Sequence, residues 1–133
     1  MFPFNKTLTN CFPPRILDGL SSDVPVELSL LEHLEEIIIQ KGSMKGSLPI
    51  NMFTVPSLKH IDLDKNELSG IIEVDGESSV QRLDINFNKF SGSIDFLTSF
   101  PNITEAHLDN NSFNGTIPAS LGDLTNPRKF NFD

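Results

Sequence analysis

The sequence predicts an α/β-type solenoid: a short curved stack of coils with a parallel sheet on its concave face and an irregular N-terminal cap. Three observations predict it. One frame recurs four times, with spacings of 24, 22 and 23 residues. Each copy holds an alternating apolar pair of strand character, and each carries a glycine at the same later position.

Residues 1–24 follow no frame and form an irregular, Phe/Pro-rich N-terminal segment (Phe2, Pro3, Phe4, Phe12, Pro13, Pro14) suited to lie extended over the first coil. Val24-Pro25 stands 24 residues before Leu48-Pro49, which marks a degenerate first copy. Pro25 suits the first turn of a short capping helix with Asp23 as its N-cap and Val26, Leu30, Leu31 and Leu34 on one face.

From residue 25 to residue 133 the repeat takes over, at about 4.5 copies. The asparagines Asn66, Asn88 and Asn111 define its reference slot, with Gly42 in their place in the first copy. Eight residues before that slot come Leu34, Leu58, Val80 and Ile103. Ile37, Ile61, Leu83 and Ala106 stand five before it, and Ile39, Leu63, Ile85 and Leu108 three before. Two residues after it stand Met44, Leu68, Phe90 and Phe113; six after it, Leu48, Ile72, Ile94 and Ile117. Every apolar slot is filled, where a chain 38% hydrophobic would fill roughly two in five by chance. Gly46, Gly70, Gly92 and Gly115 keep the position between those last two columns. A fifth copy starts at Leu124 with Pro127, Phe130 and Phe132, and the sequence stops within it. A stack left open there exposes its last core layer, so further repeats or a neighbouring subunit are expected to cover that end.

The frame LxxLxLxxNxLxGxIP, with the stretch Asn111 to Asn126 (NSFNGTIPASLGDLTN) nearest to it, resembles the plant-type leucine-rich repeat of receptor-kinase ectodomains and polygalacturonase-inhibitor-like proteins. The resemblance covers residues 25–133. It implies a non-catalytic recognition module, outside the cell or at its surface, and a second short strand around the glycine. Gly42 in the asparagine slot, Glu73 and Asp95 where Pro49 and Pro118 stand, and the missing paired-cysteine caps depart from the pattern.

Within each coil the alternating pair points inward, and the residues between and beside it face out. Those outward columns read Glu36, His60, Arg82, Glu105, Lys129; then Ile38, Asp62, Asp84, His107, Asn131; then Gln40, Asp64, Asn86, Asp109, Asp133; then Lys41, Lys65, Phe87, Asn110. Phe87 is the one large apolar side chain in its column. A partner-binding patch is therefore expected to centre on Phe87, ringed by Asp62, Asp84, His60, His107, Asp109 and Asp64, and to favour a basic protein or peptide. The alternative is a structural or scaffold subunit docked in a larger assembly, inside the cell or an organelle.

Other functions find little support. The net charge of −8, without Trp or Tyr, disfavours nucleic acid. No apolar run is long enough to span a membrane. Asp62, Asp64, Asn66 and Glu73 mimic a calcium loop, but Glu67 stands where such a loop needs glycine, and the repeat already explains these residues. No nucleotide, metalloprotease or nucleophile-elbow motif occurs, so neither an enzyme nor a cofactor is expected; a Cys11–histidine pair is the only nucleophile arrangement left. Four sequons, at Asn5, Asn102, Asn110 and Asn114, are candidates for N-glycosylation.

Overall fold

Three alternating residues followed by a turn make a short strand, and such strands persist only when stacked. In the computed structural model, which describes residues 7–9, 23–24, 26–123 and 129–132, each copy folds as one coil with two short strands. One sheet runs β1 (Thr7–Thr9), β2 (Glu36–Ile38), β4 (His60–Asp62), β6 (Arg82–Asp84), β8 (Glu105–His107) and β10 (Lys129–Asn131), in that order. All its neighbours are parallel. The second sheet, β3 (Lys45–Gly46), β5 (Glu67–Ile71), β7 (Lys89–Gly92) and β9 (Ser112–Phe113), is built around the glycine column. Gly46, Gly70, Gly92 and Gly115 all have φ between 76° and 91°, a backbone region that side chains disfavour.

The register reproduces the columns of the sequence. Ile37 lies beside Ile61, Ile61 beside Leu83, Leu83 beside Ala106, and Ala106 beside Phe130. The inward columns form one continuous core in which Leu63, Ile85 and Leu108 are buried together. Burying each such side chain is worth about 1.5–3 kcal/mol. Two slots depart from this: Phe113 is half-buried, and Ile117 is 60% exposed because no described coil packs on that side of it.

Asparagine turns the chain because its side chain serves two coils at once. Asn88 Nδ2 donates to the carbonyls of Leu63 in the preceding coil (2.9 Å) and of Ile85 in its own (3.1 Å). Its Oδ1 accepts the Leu68 N–H at 3.0 Å. Asn66 and Asn111 repeat the arrangement on Ile39 and Met44, and on Ile85 and Phe90. Gly42 fits the first slot because a Cβ there would stand 2.8 Å from Asn66 Oδ1.

The back of the stack is irregular, with short 3-10 helices at Val26–Leu30, Met52–Thr54, Asp95–Ser99 and Ala119–Asp123. The expected capping helix is corrected here. In its 3-10 winding Leu28 turns toward the core, while Leu31 and Leu34, which follow the helix, pack on the core as expected. Val26 and Leu30, expected on the inner face, are 64% and 74% exposed. Asp23 forms a parallel bridge with Lys45, extending the second sheet by one position. Within the N-terminal segment, β1 is extended and pairs in register with β2. Cys11 and Asn5 lie outside the described residues.

Candidate binding face

The first sheet presents its outward columns side by side, because parallel register carries equivalent residues to adjacent strands. His60 stands beside Arg82 and Arg82 beside Glu105; Asp62 stands beside Asp84 and Asp84 beside His107. The backbone ladder continues past the strands, with Leu63 N–H donating to Asp84 O (2.8 Å) and Phe87 N–H to Asp109 O (3.1 Å). Asp62, Asp84, His60, His107, Asp64 and Asp109 are thus brought onto one face.

Stacked carboxylates repel, and neutral amides divide them. Gln40 Nε2 donates to Asp62 Oδ2. With its amide nitrogen turned to the acids, Asn86 donates to Oδ1 of both Asp64 and Asp84. The acids also fold back on their own turns: Asp62 Oδ1 accepts the Asp64 N–H (3.1 Å) and Asp84 Oδ1 the Asn86 N–H (3.3 Å). Asp62 and Asp109, expected on an exposed surface, are each only 9% exposed. Asp109 Oδ2 accepts from Asn110 Nδ2 at 2.8 Å, and its buried Oδ1 has no hydrogen-bond partner among the described residues. Burial is the main cause that raises the Asp84 pKa above the usual aspartate value, and the charges of Asp62 and Asp64 add to it.

The outermost column is balanced. Glu105 pairs with Arg82 (3.0 Å), with Lys129 (3.8 Å) and with His107 Nε2 (2.7 Å). The His107 hydrogen bond, ahead of the Arg82 and Lys129 charges, lowers the Glu105 pKa. The sequence columns contained Gln40, Asn86, Arg82 and Glu105, but their roles depend on which side chain each one meets.

Phe87 is 45% exposed, as an anchoring side chain requires, but it lies in the bend beyond β6 rather than within the strand. Its φ of 52° places a bulky residue in the left-handed region, at a cost of about 1–2 kcal/mol. Phe87 therefore borders the carboxylates instead of sitting at their centre. Lys65 Nζ lies 5.5 Å from its ring centroid. Of the sequons, Asn102, Asn110 and Asn114 are exposed. The calcium-like residues are already engaged: Asp62 and Asp64 in the face, Asn66 in the interior ladder.

The Leucine Rich Repeat family model matches residues 102–124. The chain is 34% identical over 121 residues to an Arabidopsis thaliana calmodulin-binding receptor kinase, covering 87% of this chain and 18% of that protein. It belongs to the plant-type leucine-rich-repeat family. It is also 34% identical over 119 residues to Receptor like protein 22 of the same plant, covering 83% and 15%. The leucine-rich-repeat chain thus spans less than a fifth of the length of these relatives. Among solved structures, the ectodomain of the Arabidopsis receptor kinase SOBIR1 superposes with a TM-score of 0.74 at 29% identity, over 83% of this chain and 62% of that one. A pollen receptor kinase 3 structure gives 0.63 at 29% identity, over 81% and 52%. The leucine-rich-repeat relatives are receptors and receptor-like proteins of plants. No helix among the described residues is long and apolar enough to cross a membrane.

Proposed function

We propose that this leucine-rich-repeat chain is a non-catalytic recognition module that binds a protein or peptide across its six-stranded sheet. One observation carries the reading: the polar side chains of β4, β6 and β8 share one face, bordered by an aromatic side chain that is 45% exposed. Phe87 anchors the contact, and Asp62, Asp64, Asp84, Asp109, His60 and His107 shape it. The acids favour basic side chains of the partner. Receptor relatives support placement outside the cell or at its surface, where the exposed Asn102 and Asn114, away from the Phe87 slot, would carry glycans.

Display of random twelve-residue peptides on the full chain tests this. Enriched peptides rich in Lys or Arg, weakened about tenfold by Phe87→Ala, support the reading. Enrichment that ignores both Phe87→Ala and Asp84→Asn overturns it.

A second reading, a docked structural subunit, is favoured by the apolar surface of Phe113, Ile117 and Phe132 at the other end of the core. Mass under native conditions separates the two, since a stable monomer counts against the subunit.

A further inference from the structure

Beside the carboxylates runs an edge of opposite sign. Lys41, Lys65, Phe87 and Asn110 share one slot, all with φ between 52° and 56°. The ladder stacks them coil on coil, through Lys41 N–H to Asp64 O (2.9 Å), Lys65 N–H to Asn86 O (3.1 Å) and Phe87 N–H to Asp109 O (3.1 Å). Around the same corner, Lys45 and Lys89 both reach Glu67, at 3.6 and 3.7 Å. A chain of net charge −8 thus places Lys41 and Lys65 in one slot beside the acids, with Lys45 and Lys89 beyond the turn in the second sheet. Among the described residues, only Asp64 (3.8 Å from Lys65) and Glu67 pair with them, and Lys41 has no carboxylate within pairing distance. Exposed pairs of this kind are weak and easily exchanged for a partner's carboxylate.

We infer that this edge sets the direction in which a partner segment lies. An acidic residue next to an apolar one seats at Lys41, Lys65 and Phe87, while a basic residue of the same segment lies over Asp62 and Asp84. The inference rests on the strand-face reading and adds an orientation to it. An apolar side chain laid on the exposed Phe87 ring excludes water from Lys65, which the ring already holds in place, and so strengthens its pairing with an anion. Asp62 and Lys65 are three residues apart, at most roughly 10 Å of chain. The partner's opposite charges should therefore fall within about three residues of each other.

The peptide display described above, read for order, decides it. On the natural chain, enriched peptides should hold Asp or Glu beside an apolar residue, with Lys or Arg within about three positions. Lys41→Asn and Lys65→Asn remove the charges at a backbone that Asn110 shows to suit asparagine. Combined, they should erase the acidic preference, weaken such peptides about threefold or more, and keep the basic preference. Asp84→Asn should do the reverse. Basic enrichment without an acidic neighbour, or an acidic preference that survives both lysine substitutions, overturns the orientation and leaves the strand-face reading standing. Peptides indifferent to Phe87→Ala and Asp84→Asn overturn both. Thermal unfolding of each variant confirms that it keeps the fold.

Discussion

Phe53 and Phe100 meet edge to face, with ring centroids 5.5 Å apart, although their coils are not neighbours in the stack. The coil between them spans the 22-residue spacing and has no 3-10 helix on its back. Its back turns at Gly76 (φ 108°) and buries the small Ser78. The two rings fill the space that the short coil leaves. Both are fully buried, and Phe96 extends the cluster from Phe100 to Phe113. Phe100→Ala should therefore cost about 3–5 kcal/mol, read as a lower urea midpoint. A loss below 1 kcal/mol would show that the back of the stack does not support the sheet.

The asparagine ladder should also be sensitive, for a polar reason. Asn88→Ala leaves the Leu68 N–H without its acceptor in a buried turn, while the Leu63 and Ile85 carbonyls lose one amide but keep those of Asn66 and Asn111. A buried group left unpaired costs about 1–3 kcal/mol, and water entering the cavity recovers part of it. We expect a net loss of about 1–3 kcal/mol in denaturant unfolding. Asn88→Asp at neutral pH should be worse, because its carboxylate would face the same carbonyls.

Phe87 should separate stability from binding. Phe87→Asn places a residue tolerant of left-handed backbone where φ is 52°, as Asn110 does at 56° in the next coil. Stability should hold or rise by about 1 kcal/mol while selected peptides lose about tenfold in affinity. A variant that unfolds more easily, with binding intact, would show that the ring serves packing instead.

The acid limb of stability should divide between two carboxylates of opposite sign. The Asp84 pKa is raised, chiefly by burial, so its contribution is unfavourable at neutral pH. That unfavourable contribution fades as pH falls through its folded value. Asp84→Asn should be the more stable protein at pH 7, and its advantage should vanish in acid. The Glu105 pKa is lowered, first by the His107 hydrogen bond, so its stabilisation is present above the unfolded value and lost as pH falls through the folded one. His107→Gln should flatten that loss. Urea unfolding of the natural chain and both variants between pH 3 and pH 7 checks the signs, within the range usual for carboxylates. An Asp84→Asn advantage that grows in acid would refute the assignment.

The sequence by itself determined the coil, its length and its inward columns. A period-two apolar pair, an asparagine and a glycine at constant spacing satisfy one coil only when copies are stacked, so Leu63, Ile85 and Leu108 had to share a column. It also determined which residues face outward from the strands, because pleating alternates the side chains. Tertiary structure decided the rest. The winding of the capping segment followed from packing against the first coil, which turned Leu28 inward and left Val26 and Leu30 outside. The burial of Asp62 and Asp109, the amides that divide the acids, and the left-handed bend that moves Phe87 to the border depend on contacts between coils. A one-dimensional frame assigns each residue a column but not the side chain it meets in the next turn. The meeting of Phe53 with Phe100 across a shortened coil is the clearest case, since it required the intervening turn to leave room.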